Sequence, residues 1–105
     1  MESFEFFFPG RPGLTWRGDG KLVGVVGSGN LEVMIEPVQL KGECLVTIST
    51  SVTGYRETWK RVVADFVDRH TLSDIRVSIN DAGATPAVVS LRLDQAVAEY
   101  LGGPL

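Results

Sequence analysis

Two hydrophobic periods divide the chain. Leu31, Val33 and Ile35 alternate with Glu32, Met34 and Glu36, the two-residue repeat of a strand with one face against a core. Just upstream, Leu22 to Val26 is a short β-rich run. Gly27-Ser28-Gly29-Asn30 between them suits a tight turn, because Gly and Asn tolerate positive φ. The two segments therefore predict a hairpin. Cys44, Val46, Ile48 and Val52 alternate with Leu45, Thr47, Ser49 and Ser51 as a further strand, with Pro37 and Gly42 bounding the loop before it. Ile75, Val77 and Ile79 alternate with Arg76, Ser78 and Asn80, and the turn-forming Asp81-Ala82-Gly83 follows. Near the start, Phe4, Phe6 and Phe8 alternate with Glu5 and Phe7, which fits either an edge strand or an exposed aromatic arm against a partner subunit.

The period lengthens from Tyr55 onward. Trp59, Val62, Val63, Phe66 and Val67 recur at three- and four-residue spacing, while Arg56, Glu57, Lys60, Arg61 and Asp65 fall elsewhere, which predicts an amphipathic helix. Thr53 is its expected N-cap, Glu57 and Arg61 form an i,i+4 pair, and Arg69 and His70 suit its negative C-terminal end. Burial of Trp59, Val62 and Phe66 contributes about 1.5–3 kcal/mol each, so the sheet beneath holds the helix. A second helix is expected after Gly83. Thr85 caps it, Pro86 takes its first position, and Val89, Leu93, Ala96, Val97, Tyr100 and Leu101 form its apolar stripe, with Gly102 and Gly103 ending it.

Strands gathered early, then helix, strand and helix, imply an α+β fold: a two-layer sandwich with two helices on one face of a mostly antiparallel sheet. One domain over residues 1–105 is expected, with 1–20 either loosely ordered or forming an edge arm. A chain of 105 residues buries roughly 60–70% of the surface its unfolded form exposes, enough for one core.

Composition then narrows the chemistry. Hydrophobic residues make up 44% and charged residues 22%, the balance of a globular chain. A net charge of -3 argues against a nucleic-acid partner, which needs a concentrated basic surface. The N-terminal MESFEFFFPGRPG has no basic n-region or long apolar stretch, and no segment reaches the roughly 18–20 apolar residues of a membrane span. A cytoplasmic location is the expectation. With only Cys44 and His70 of their types, neither an internal disulfide nor a Cys/His metal cluster is expected. Cys44 reads as a small buried hydrophobe.

Gly24-Val25-Val26-Gly27-Ser28-Gly29 invites a nucleotide-binding reading, but such a loop must open a helix whose amides hold phosphate. Here it leads into LEVMIEP, a strand pattern ending in Pro37. A serine hydrolase fares no better, since Gly27-Ser28-Gly29 lacks the nucleophile-elbow spacing and only His70 is available as base. Taken alone, Ser28 reads as a turn residue.

The surrounding string changes that reading. VGVVGSGNLEVMIEP, from Val23 to Pro37, resembles the modification segment of the acyl carrier (delta) subunit of malonate decarboxylase. Ile79-Asn80-Asp81-Ala82-Gly83-Ala84-Thr85-Pro86, followed by VVSLRL and Gln95, resembles that family's C-terminal segment, so the likeness covers nearly the whole chain. The Ser-Gly step and the Asp-x-Gly-Ala turn are more distantly similar to the citrate lyase acyl carrier. Ordinary four-helix acyl carriers, with their Asp-Ser-Leu segment before a helix, are not resembled.

The resemblance implies a carrier without catalytic residues. It implies 2'-(5''-triphosphoribosyl)-3'-dephospho-CoA, joined by a phosphodiester to Ser28, as an arm whose thiol carries acetyl and malonyl. Gly27 and Gly29 would give a modifying transferase access to the hydroxyl. The implied partners are the acyl-transferase and decarboxylase subunits of one complex and the prosthetic-group transferase. Asp81, Gly83 and Thr85, at the start of the second helix, form a possible secondary contact for a phosphate or a partner carboxylate, with a structural turn as the alternative. The rival readings are an unmodified interaction subunit and a citrate-lyase-type carrier.

Overall fold

A computed structural model describes residues 1–9, 24–28, 30–70 and 73–100. The order is β1 (Glu2–Phe8), β2 (Gly24–Ser28), β3 (Leu31–Pro37), β4 (Cys44–Thr50), α1 (Arg56–His70), β5 (Ile75–Asp81) and α2 (Pro86–Tyr100). The strands form one sheet in the order β1-β4-β5-β3-β2. Three of its pairings are antiparallel and one, β4 with β5, is parallel. The mixed character follows from α1: its 15 residues span about 22 Å and carry the chain back along the sheet, so β5 starts where β4 started.

Strand alternation sets the faces. In β3, β4 and β5, Leu31, Val33, Ile35, Cys44, Val46, Ile48, Ile75, Val77 and Ile79 are buried. They form a single core with Phe6 of β1, with Trp59, Val63, Phe66 and Val67 of α1, and with Val89, Leu93, Ala96 and Val97 of α2. Both helices thus cover one face, as the sequence pattern implies. The other face carries rows such as Glu5, Thr47, Ser78 and Met34, none fully buried.

The register runs across the whole sheet. One row reads Phe6, Val46, Val77, Ile35, Gly24, and the next Phe4, Ile48, Ile79, Val33, Val26. The last reads Glu2, Thr50, Asp81, Leu31, Ser28. Every member of that end row except Leu31 is polar. Phe4, Phe6 and Phe8 do form an edge strand, and Arg56 lies over the Phe6 ring with 5.4 Å between guanidinium carbon and ring centroid.

Several local expectations need correction. The upstream hairpin strand, described over Gly24–Ser28, continues past Val26 to Ser28, while Leu22 and Val23 lie outside the described residues. Gly27 and Ser28 are therefore ladder residues, paired with Glu32 and Leu31. Only residues 29 and 30 remain between the strands, a loop length whose favoured turns take Gly and Asn. Gly29 itself, with residues 10–23, lies outside the described residues. The Cys44 strand stops at Thr50, before Val52. Thr53 does not adjoin α1: Gly54, at φ +90, and Tyr55 intervene, and the Tyr55 carbonyl accepts the first helical hydrogen bond, from Trp59 N–H at 2.9 Å. Glu57 pairs with its neighbour Arg56 at 3.3 Å. In α2, Pro86 and Thr85 stand where expected, and the Thr85 hydroxyl accepts from the Val88 N–H at 3.3 Å. Leu101, Gly102 and Gly103 lie outside the described residues, as does the Tyr100 side chain.

Candidate functional site

β2, β4 and β5 all run in one direction, so their C-terminal ends meet at one end of the sandwich. α1 follows β4 and α2 follows β5, so both helices begin at that end. In sheets with helix crossovers this is where loops and helix N-termini leave room for ligands. The polar end row lies here, with Ser28 closing β2, an outer strand among the described residues.

Asp81 organises the end. It is 8% exposed, and its Oδ2 accepts from the Thr50 hydroxyl at 2.8 Å and the Gly83 N–H at 3.2 Å. Its Oδ1 accepts from the Ala84 N–H at 2.8 Å, and its carbonyl accepts from Ser51 N–H at 3.0 Å. A carboxylate with this many partners can be buried without a counter-ion. Gly83 sits at φ +105, which only glycine adopts readily, and this turns the chain from β5 into α2. Ala82 N–H donates to the Asn30 carbonyl at 2.9 Å, tying that turn to the hairpin that ends in Ser28.

Between the first turns of the helices lies a groove of about 490 Å³. Its walls include Val52, Tyr55, Trp59, Val62, Ala84 and Val89, and Thr58, Thr85 and Asp81 also line it. Trp59 and Val89 are buried, whereas Tyr55 is 54% exposed at the mouth. Among the described residues, no charged side chain other than the saturated Asp81 carboxylate lines it.

The structure thus gathers Asp81, Gly83 and Thr85 in one turn and sets Ser28 in register with Asp81, two strands away. At normal strand spacing that is about 10 Å between backbones. The groove residues Tyr55, Trp59 and Val62 read in sequence only as one helix face. A signal for the end row was present, however: Thr50 and Asp81 are polar residues closing otherwise apolar strand faces.

His70 lies at the far end of α1, about 20 Å along the helix from its first turn. It is bound there instead, its Nε2 lying 2.7 Å from Asp94 Oδ1 of α2. Arg69 also reaches Asp94, at 3.0 Å, and pairs with Asp65. Desolvation raises the Asp94 pKa, but the hydrogen bonds from His70 and Arg69 and their charges outweigh it and leave it below the usual value. His70 therefore links the helices. Cys44 is fully buried in the core, and burial pushes its thiol up to about 12, so it stays protonated and inert.

The family model for the malonate decarboxylase delta subunit (MdcD), an acyl carrier protein family, matches residues 19–100. The malonate decarboxylase acyl carrier protein of Stenotrophomonas maltophilia strain K279a is 50% identical over 103 residues, covering 98% of this chain and 97% of its own length. That of Burkholderia cepacia is 56% identical over 100 residues, covering 94% and 90%. Among solved structures, a chain of a Pseudomonas malonate decarboxylase hetero-tetramer in complex with malonate superposes with a TM-score of 0.76 at 37% identity, covering 95% of this chain and 99% of that one. The chain belongs to the malonate decarboxylase delta subunit family, whose members are acyl carriers rather than catalytic subunits.

Proposed function

We propose that this chain carries acyl groups for a malonate decarboxylase complex, with Ser28 as the covalent attachment point of a phosphoribosyl-dephospho-CoA arm. The observation that carries the reading is the place of Ser28: it closes an outer strand at the end of the sandwich where both helices begin, in a chain of this family. When bound, the group supplies a terminal thiol that holds acetyl or malonyl as a thioester.

The residues present fit such a group. Ser28 Oγ is the one nucleophilic oxygen that attachment needs, and Gly27 beside it has no side chain to obstruct a modifying enzyme. The hairpin ladder fixes the Ser28 backbone through its pairing with Leu31. The chain's own work is then to hold one end of the arm while the other visits successive active sites, at an effective concentration of order millimolar. The partners are acyl-transferase and decarboxylase subunits, consistent with the hetero-tetramer to which the similar Pseudomonas chain belongs, and the transferase that attaches the arm. Among the described residues no helix is long and apolar enough to cross a membrane.

Asp81, Gly83 and Thr85 are a secondary contact in this reading, and their chemistry limits what they bind. The amides of Gly83 and Ala84 already serve Asp81, and that of Val88 serves Thr85. Contact there is left to the groove surface and the Thr85 backbone rather than to a ring of free amides.

Ser28→Ala in the complex reconstituted with its transferase tests the reading. The expected outcome is loss of all arm attachment and malonate turnover with an unchanged urea midpoint, since only a hydroxyl is removed. Full turnover by the variant would return Ser28 to a ladder residue of an unmodified interaction subunit.

A further inference from the structure

We propose that the groove between the first turns of α1 and α2 is a resting site for the pantetheine–thioester end of the arm, an inference that rests on the Ser28 attachment proposed above. Three observations lead to it. The groove opens at the end of the sheet where Ser28 stands, with Asp81, which lines it, and Ser28 two strands apart in one register row. That separation, about 10 Å, is one that a CoA-like arm exceeds, so the tether reaches without any change of fold.

The second observation is chemical selectivity. The groove's walls are Val52, Tyr55, Trp59, Val62, Ala84 and Val89, and its volume of about 490 Å³ falls in the range of small-molecule sites. A neutral, partly apolar thioester with two amides suits such walls, and the Tyr55, Thr58 and Thr85 hydroxyls are at hand for the amides. The anionic half of the arm does not suit them: among the described residues no Lys, Arg or His lines the groove, and Asp81, which also lines it, has both carboxylate oxygens engaged and offers phosphate no donor. The phosphates therefore stay outside, near Ser28, and only the far end turns in.

The third is the alternative surface at the same end. The opposite face of the sheet presents Ser3, Ser49, Asn80 and Glu32 in the corresponding row, a polar and partly charged strip that gives an acyl thioester nothing to bury against. Of the two faces that the tether can reach, the helix-covered one is where the thioester escapes water. A resting site of this kind shields the thioester between visits, and weak binding lets a partner's active site draw it out.

The test uses the full-length chain loaded with the acetylated arm, its attachment checked by intact mass, and solution NMR. Nuclear Overhauser contacts are expected between arm protons and Trp59, Val62 and Val89, with shifts of the Tyr55 and Ala84 amides relative to the unloaded chain. Thr58→Trp, which fills the groove mouth from an exposed helix position, should load fully yet lose those contacts. Its freed arm thiol, once deacetylated, should alkylate several-fold faster than in the loaded wild-type chain. Ala84→Leu serves the same purpose should Thr58→Trp fail to fold. A loaded chain whose arm contacts only residues around Ser28, and whose thiol alkylates as fast as free pantetheine, overturns the groove site while leaving Ser28 as the attachment point. A chain that never loads overturns both.

Discussion

At one end of the sheet Asp81 holds the amides of Gly83 and Ala84; at the other, Asp74 holds those of Leu40 and Gly42 through Oδ1, at 3.0 and 2.9 Å. Each carboxylate gathers a loop onto the same strand, β5 or the residue just before it. Asp74 does so from a left-handed backbone, φ 54, while its own N–H donates to the Glu43 carbonyl and its carbonyl accepts from Val38. The resemblance ends there. Asp81 is buried and bonded to Thr50 of the neighbouring strand, whereas Asp74 is half-buried and its partners among the described residues are backbone groups. Around Asp81 two helices begin and leave a groove; around Asp74 the β3–β4 loop folds over the strand starts. Carboxylate-capped turns are thus a structural tool used at both poles. What distinguishes the pole proposed to carry the arm is the gap between helix starts beside a serine that closes an outer strand among the described residues.

The largest expected contrast between the poles is in stability. Asp81→Ala removes the 2.8 Å acceptor of the buried Thr50 hydroxyl, leaving it only its contacts with Val52, and the acceptor of two amides, and should cost about 1–3 kcal/mol, read as a lower urea midpoint. It should also shift the Trp59 and Ala84 resonances at the groove. Asp74→Ala should lower the midpoint less and leave those resonances in place. Groove resonances that move equally in both variants would break the comparison.

Acid sharpens it next. The backbone N–H groups of Gly42 and Leu40 lower the Asp74 pKa, and Asp94 is lowered as described above. A carboxyl whose folded pKa is depressed contributes stability above its unfolded value, about 4, and loses it as pH falls through the folded value. Urea midpoints should therefore drop below pH of about 4, and Asp74→Asn with Asp94→Asn should flatten that slope. An unchanged slope in the double variant would assign acid sensitivity elsewhere.

The smallest effect belongs to Cys44, in the row next to the Asp74 pole. Its folded thiol, near 12, stays protonated where an unfolded thiol ionises, at about 8.5. Stability held below that pH is lost progressively as pH rises toward 12. Cys44→Ala should remove this alkaline slope, and the native chain should resist thiol reagents until it unfolds.

The strands and both helices are legible in the sequence because one-sided burial writes a period of two or of three to four, as in Ile75–Ile79 and Trp59–Val67. Strand order is not, since alternation reads the same for parallel and antiparallel neighbours; the β4–β5 pairing emerges only once α1 has carried the chain back. The first hairpin strand is expected to stop at Val26 because Gly27 and Ser28 have turn-like composition, yet the ladder extends to Ser28↔Leu31. Thr53 fails as a cap because the left-handed Gly54 displaces the helix start. The groove is invisible in sequence for a different reason: Tyr55, Trp59, Val62, Ala84 and Val89 come from two helices and the two loops that precede them, and only packing brings them together. Ser28 itself stands out through the resemblance of its flanking string, since a lone Gly-Ser-Gly has no chemistry of its own.

Attachment at Ser28 is decided by peptide mass after co-expression with the prosthetic-group transferase and the enzymes making its precursor. The expected result is a mass increment of the phosphoribosyl-dephospho-CoA group confined to the peptide containing Ser28 and absent from Ser28→Ala. An unmodified Ser28 peptide under those conditions, or an increment on another residue, would contradict it.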